Sequence, residues 1–242
     1  MSGASALGIP VIAQDAPEDF FGDRADTCVR DDGFCPDWIA DNYERYIDPF
    51  WEHVFLTVVP VTIGFAIAFS LALLAHRRRW LIGPVAGVTG ALYTIPSVAF
   101  FFLLQPITGL GKTTAIIALT CYTLLIIFRN VITGLAAVPA EAKDAGRGMG
   151  LTERQMLWKV ELPLALPEIL AGLRIATTTT VGLAALAFLA NGGGLGAELD
   201  AQRFFKSNVV VAGGLSILLA AVLDLIILAF QRLVTPWQRA AT

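Results

Sequence analysis

The chain has 242 residues, of which 56% are hydrophobic and only 15% are charged, and its formal net charge is −3. Its mean hydropathy is +0.68. These values exclude an ordinary soluble protein and give no basis for binding nucleic acid. Eleven of the twenty acidic residues lie in the first 50 positions, so the charge is concentrated before the apolar part begins.

The first 50 residues contain two predicted regions. Residues 1–36 are acidic and rich in Gly and Asp, which predicts a mobile extracellular tail. Residues 37–52 predict an amphipathic helix on the membrane surface, with Asp37 as its N-cap and aromatic residues at the headgroups. An aromatic cage for a cation is the alternative. Cys28 and Cys35 close a short loop, either as a disulfide or as two free thiols.

Long uncharged stretches follow, including 54–75, 81–111 and 175–197. Each can cross the hydrocarbon core as a helix, which takes ~20 apolar residues. Two shorter uncharged stretches end at Arg129 and at Asp224. They are long enough to be spans if these two charged residues lie near a membrane face or find partners. The sequence thus predicts an all-α integral membrane protein whose permease domain covers 53–236. Its five predicted transmembrane helices are approximately 54–75, 82–104, 113–136, 168–190 and 208–231.

The distribution of Lys and Arg predicts the orientation in the membrane. With the N-terminus outside, segments 76–80, 137–167 and 231–242 face the cytoplasm and contain nine of the seventeen basic residues. The outside segments contain six, and Arg129 and Arg174 are embedded. We therefore expect a multi-pass protein of the cell membrane with its C-terminal tail, 237–242, in the cytoplasm.

Two breaks are expected within the apolar region. "LYTIPSVAF" contains Pro96 and predicts a flexible point that lines a pathway. "NGGGLG", residues 191–196, cannot form an ordinary helix and predicts a turn or a re-entrant piece.

The stretch "TGLGKTTA" resembles the end of a phosphate-binding P-loop at Gly111, Lys112 and Thr113. That motif requires a first glycine five residues before its second, and this position is Pro106. Proline has no N–H to offer a phosphate. We therefore interpret the stretch as a turn between two apolar segments, not as a nucleotide site.

Residues 137–167, which we call the signature loop, are too structured for a simple connector. Pro139 is expected to open a helix that Gly150 ends as a left-handed cap. Thr152 and Gln155 then form a capping box for a second helix, which Leu162–Pro163 should stop. An exposed helix pair of this kind predicts docking to a partner, and the alternative is a helix lying flat on the membrane.

Charged residues inside the predicted spans include Asp224, Arg174 and Arg129. Asp224 is the acid of the fifth span, and Arg174 and Arg129 belong to the fourth and third. A carboxylate in lipid needs a partner or a function. We predict a salt bridge from Asp224 to Arg174 or to Arg129, in preference to contact with a substrate.

The signature loop resembles that of the permease subunits of ABC importers. Their pattern is Glu-Ala-Ala, three residues, Gly, nine residues, Ile, one residue and Leu-Pro. Here the spacing is kept by Asp144, Ala145, Gly146, Gly150, Val160, Leu162 and Pro163. Arg147 lies within the same segment. Asp, Gly and Val replace the usual Glu, second Ala and Ile, and Gly weakens a helix by up to ~1 kcal/mol relative to Ala.

The likeness covers most of the chain, from about Trp51 to Pro236, and is strongest to the osmoprotectant branch. It implies the type I importer fold and uptake of glycine betaine, choline or carnitine. Its implied partners are two ATPase subunits, a second permease copy or a sister permease, and an extracellular binding protein. ATP and Mg²⁺ would be bound by the ATPase, and this chain would have no cofactor, metal or catalytic residue.

Other transport classes fit less well. Methionine importers share the size and the signature, so methionine is an alternative solute. An ion-coupled secondary transporter would need ionisable groups at the midplane and usually an internal repeat. A scaffold protein would leave the signature loop without a use.

Overall fold

The computed structural model describes residues 33–236, and every regular element in that range is helical. We number the α-helices of this range in chain order. They are α1 Pro36–Asp41, α2 Ile47–Arg77, α3 Ile82–Thr94, α4 Ser97–Thr108, α5 Lys112–Ala136, α6 Ala140–Gly148, α7 Glu153–Met156, α8 Leu162–Ala184, α9 Leu195–Ala201 and α10 Lys206–Val234. The prediction of an all-α membrane protein is confirmed at this level.

Three helical stretches are long and apolar enough to cross a membrane, namely 43–77, α5 and α10. A fourth results if 79–94 and α4, which are bent by 98° to each other, form one span. Helix α8 has 23 residues but does not reach the same apolarity. The predicted count of five spans is therefore not confirmed by length and composition, which give three or four.

The centre of the bundle is formed by α2, α5 and α8. Two glycines allow these helices to approach closely. A Cβ at Gly64 of α2 would lie 1.7 Å from Oγ1 of Thr123, and one at Gly172 of α8 would lie 2.3 Å from Cβ of Asn130. Because side chains at these two positions would collide with the neighbouring helix, glycine sets the helix spacing here.

The predicted break in "LYTIPSVAF" lies at Ile95 and Pro96, between α3 and α4. Both residues have extended ψ angles, of 126° and 132°. The hydroxyl of Tyr122 in α5 donates to the carbonyl of Ile95. The break is thus held against the centre of the bundle, since a side chain satisfies a carbonyl that the interrupted helix leaves exposed.

The segment before α2 differs from the predicted surface helix over 37–52. It consists of α1 and a 3₁₀ turn, Tyr43–Tyr46, and residues 47–52 already belong to α2. Cys35 precedes the first helix and Asp37 lies inside its first turn, so the prediction of Asp37 as N-cap is wrong. Proline at the first helical position, Pro36, fixes the start instead.

Two of the aromatic residues expected at the headgroups are buried. Trp38 packs edge-on against Phe205 at 4.7 Å, and the Tyr46 hydroxyl donates to Asn208 at 2.8 Å. Both contacts reach the start of α10, so these residues join the N-terminal segment to the beginning of the last helix. Cys35 is buried in the same cluster, whereas its predicted partner Cys28 lies outside the described residues. The disulfide remains a prediction, as do residues 1–32 of the predicted N-terminal tail and the tail 237–242, which lie outside the described residues. At the end of the predicted N-terminal tail, the N–H of Cys35 donates to Oγ of Ser207 at 2.7 Å.

The turn predicted in "NGGGLG" is confirmed. Asn191, Gly193 and Gly194 all have positive φ angles, of 57°, 80° and 79°. These left-handed conformations end the helical chain after α8 and reverse it into α9.

Candidate functional site

The signature loop begins with a helix whose predicted caps are present. Helix α6 starts after Pro139, and Gly150 adopts a left-handed φ of 77° beyond its end. The N–H of Leu151 donates to the carbonyl of Gly146 at 3.1 Å, which closes the C-terminus. Thr152 and Gln155 form the predicted capping box, with N–H contacts of 3.3 and 2.9 Å. The end of α6 and the start of α7 are both determined by residues close in sequence, and for this reason the sequence predicted them.

The predicted stop at Leu162–Pro163 is wrong. Helix α7 continues through a π-helical turn, Leu157–Glu161, directly into α8. Pro163 lies in the first turn of α8, where the N–H that proline lacks is not needed. The signature loop is therefore joined to α8 by a continuous helical segment.

The residues of the signature divide between an exposed and a buried face. Asp144, Ala145, Arg147 and Gly150 are exposed, as is Met149, whose side chain is 72% exposed. Gly146 is buried, and a Cβ there would lie 2.6 Å from Cε of Met156. Glycine at this position, where the resembled signature has alanine, thus leaves room for the side chain of Met156.

The buried end of the loop consists of Leu162, which is buried, and Pro163, which is half-buried. On the exposed face, Nη1 of Arg147 lies 3.4 Å from Oδ1 of Asp144. Both side chains of that pair are largely exposed, so it steadies α6 only slightly.

A cluster of polar side chains around Glu161, which no sequence pattern predicts, ties the loop to α2. Nε2 of His76 lies 2.8 Å from Oε2 of Glu161, and Nζ of Lys143 lies 3.4 Å from its Oε1. Glu161 is only 8% exposed. The three residues belong to α2, α6 and the π-helical turn, so one carboxylate connects three elements. His76 and Glu161 are 85 positions apart, and no local pattern announces their contact.

Of the charged residues predicted in the spans, the structure brings Arg174 and Asp224 together. Nε of Arg174 lies 2.7 Å from Oδ1 of Asp224, and Nη2 lies 2.7 Å from Oδ2. This bidentate geometry joins α8 to α10. Arg129, the other partner considered for Asp224, is exposed near the end of α5.

The residues of the P-loop-like stretch lie on the side of the bundle opposite the signature loop. Nζ of Lys112 lies 2.7 Å from Oε1 of Glu52, and the N–H of Gly194 donates to Oε2 of the same carboxylate at 3.0 Å. Glu52 therefore joins α2, α5 and the turn after α8. Gly109 and Gly111 have positive φ angles, as the interpretation of this stretch as a turn requires.

Comparison with known proteins places these features in a family. The family model "Binding-protein-dependent transport system inner membrane component" matches residues 61–240. The osmoprotectant import permease protein OsmW of Salmonella typhimurium is 36% identical over 206 residues, which cover 82% of this chain and 96% of that protein. The choline transport system permease protein OpuBB of Bacillus subtilis is 33% identical over 188 residues, 77% of this chain and 87% of that protein.

Solved structures agree with this assignment. The inward-facing MetNI methionine ABC transporter has a chain that is 27% identical, with a TM-score of 0.64, and the match covers 81% of this chain and 96% of that chain. An amino acid ABC transporter solved with histidines matches with a TM-score of 0.68 at 16% identity, which shows the fold alone. The chain belongs to the family of inner membrane components of binding-protein-dependent transport systems.

Proposed function

We propose that this chain is the permease subunit of an ATP-driven importer that takes up osmoprotectants such as glycine betaine, choline or carnitine. The observation that carries the proposal is the signature loop, in which the exposed helix α6 ends just before the left-handed Gly150 and α7 begins with a capping box. Glu161 ties this loop to the bundle through Lys143 of α6 and His76 of α2. Relatives named for transport of choline, carnitine and osmoprotectants support the solute class at 33–36% identity. Methionine is less favoured, because the methionine transporter chain is 27% identical.

In this proposal the exposed face of α6, with Asp144, Ala145 and Met149, docks on a partner ATPase. ATP and Mg²⁺ are bound by that partner, and this chain performs no covalent chemistry. Closure of the ATPase on ATP moves α6, and the movement passes along two connections. One is the continuous helix from α7 into α8, and the other is the contact of Glu161 with His76 of α2. Such coupling requires that ATP bind one conformation of the complex better than the other.

We further propose that α8 is a fifth span, although its composition is less apolar. Three features of α8 oppose insertion, namely Glu168, Arg174 and a run of four threonines. Glu168 lies about two turns from the end of α8 that carries the signature loop. Arg174 is neutralised by Asp224. The hydroxyls of Thr177, Thr178 and Thr180 donate to carbonyls of their own helix at 2.7–3.1 Å, so they do not require water. Internal satisfaction of this kind is what the bilayer interior demands.

The signature loop is proposed to face the cytoplasm, with the N-terminal segment outside. Among the described residues, eight basic side chains belong to segments on the side of this loop, including Arg77, Arg78 and Arg79 at the end of α2. The positive-inside rule therefore supports this orientation. A second permease copy or a sister permease, two ATPase subunits and an extracellular binding protein complete the proposed assembly.

Uptake by the reconstituted complex tests the proposal. The permease is purified with its ATPase and placed in liposomes that contain ATP, and the binding protein is added outside. We expect ATP-dependent accumulation of labelled choline, glycine betaine or carnitine, and no accumulation of labelled methionine. Accumulation without the ATPase would contradict ATP coupling, and accumulation of methionine alone would contradict the solute class.

A further inference from the structure

A cleft of about 570 Å³ lies between the end of α2 and the signature loop. We call it the basic cleft. Its lining includes five basic side chains, from Arg77, Arg79, Lys143, Arg147 and Arg154. The carboxylates among the lining residues belong to Glu153 and Glu161, so positive charge is in excess.

Part of this positive charge has no carboxylate beside it. Glu161 is engaged by His76 and by Lys143. Among the described residues, no ion pair within 4.0 Å involves Arg77, Arg79 or Arg154. Like charges gathered around a concave surface repel each other and focus a positive potential into it. An anion in the cleft would relieve that repulsion.

The position of the cleft indicates where such an anion comes from. Arg77 is the last residue of α2, a helix apolar enough to cross a membrane. Arg79 opens the turn that leads to α3, the next apolar helix. The two guanidinium groups thus belong to residues at a membrane face, where lipid phosphates lie. Trp80 beside them is 70% exposed, and an exposed tryptophan is typical of the membrane interface.

We propose that the basic cleft binds a phosphate group, carried by the headgroup of an anionic phospholipid. Guanidinium groups bind phosphate oxygens in bidentate geometry, and Arg77 and Arg79 provide two of them on the membrane side. Arg154 provides a third from the signature loop. A bound headgroup therefore bridges α2 and the loop in the same way that Glu161 does. This inference goes beyond the proposed transport function and does not depend on the solute.

Lipid binding to the whole purified complex tests the inference. Phosphatidylglycerol or phosphatidylcholine is added to the complex in detergent, and bound lipid is counted by native mass spectrometry. We expect one class of phosphatidylglycerol that binds more tightly than phosphatidylcholine. In the variant R77Q/R79Q its affinity should fall by about tenfold or more, because two charge-assisted contacts are removed. The control is R78Q, since Arg78 is exposed and does not line the cleft.

A second variant, R77K/R79K, keeps the charge but loses the planar fork, and we expect an intermediate affinity. Melting temperatures equal to that of the parent complex verify that each variant is folded. Equal lipid binding by R77Q/R79Q and the parent would overturn the proposal. Displacement of the lipid by millimolar inorganic phosphate would assign the site to a soluble anion instead. A third outcome is that R77Q/R79Q loses binding to the ATPase while its lipid binding is unchanged. The cleft would then bind an acidic surface of the partner protein, which also overturns the proposal.

Discussion

Arg174 and Asp224 form two parallel hydrogen bonds of 2.7 Å each between α8 and α10. Only 11% of the most apolar 18 residues of α10 are buried inside the described chain, so this pair is one of the few polar contacts that hold the middle of the helix to α8. The side chains are 30% and 27% exposed, which places the pair at the surface of the described chain and not in its centre. In a membrane, that surface is covered by lipid or by a partner subunit, where an unpaired charge is costly.

The first prediction concerns this pair. We expect D224A to lower assembly of the complex and uptake of solute, since it leaves Arg174 without a partner at a cost of about 3 kcal/mol. The charge exchange R174D/D224R should recover part of both. Assembly is measured by size-exclusion chromatography and uptake in liposomes. The control is R129Q, because Arg129 is exposed. Normal assembly and uptake by D224A would contradict the prediction.

The second prediction concerns Glu161, whose carboxylate lies 2.8 Å from His76 and 3.4 Å from Lys143. We expect E161A to retain hydrolysis of ATP but to transport several-fold less solute per ATP, since the loop loses its link to α2. The measurement is the ratio of uptake to phosphate release in liposomes. The control variant is E153A, because Glu153 lies in the same loop and is exposed. An unchanged ratio in E161A would show that the continuous helix into α8 suffices for coupling.

The third prediction compares two glycines of α8. A Cβ at Gly172 would lie 2.3 Å from Cβ of Asn130, whereas one at Gly182 would have no atom within 4 Å. We expect G172A to destabilise the protein by about 1–3 kcal/mol through overpacking. G182A should be neutral or stabilise by up to ~1 kcal/mol, because alanine is the better helix former. Melting temperatures in detergent check both. Equal shifts in the two variants would mean that α5 and α8 are not as close as described.

The fourth prediction concerns Lys112, which has the position of a P-loop lysine but contacts Glu52 at 2.7 Å. We expect K112Q to leave nucleotide binding and basal hydrolysis by the complex unchanged. Because the pair is exposed, its loss should cost less than about 1 kcal/mol in stability. Binding of a fluorescent ATP analogue and a melting curve measure the two quantities. A loss of nucleotide binding in K112Q would refute the interpretation of this stretch as a turn.

The fifth prediction concerns orientation in the membrane. Single cysteines replace Arg78, beside the signature loop, and Arg203, on the opposite side, in chains whose native cysteines are changed to serine. A membrane-impermeant maleimide should label R203C in spheroplasts and label R78C only after lysis. The reverse pattern would place the signature loop outside the cell and would exclude contact with a cytoplasmic ATPase.

Predictions from local chemistry agree with the structure where the interaction is itself local. The left-handed Gly150 and the capping box of Thr152 with Gln155 involve residues within one or two turns, so their side-chain chemistry decides the outcome. The stop at Pro163 failed for an equally physical reason. Proline opposes a helix interior, but after a π-helical turn it occupies the first turn of the next helix, where it is tolerated.

The aromatic residues show that residue type alone does not predict whether a side chain lies at the headgroups or in the protein interior. Trp38 and Tyr46 were expected at the lipid headgroups, because their rings combine apolar surface with a polar group. The same property suits a buried site where that group finds a partner, as the Tyr46 hydroxyl does at Asn208. Only the position of α10 distinguishes the two environments, and the partner is 162 residues away in the sequence.

Local sequence patterns were enough to predict a helical membrane protein with a capped loop of the importer-permease type, because hydrophobicity and capping act over neighbouring residues. Tertiary structure alone decided that Asp224 meets Arg174, that Glu161 joins His76 to Lys143, and that Gly172 has room only for a hydrogen atom. Each of these depends on how helices distant in sequence pack. That packing is set by the fit of whole surfaces, and short stretches of sequence do not encode it.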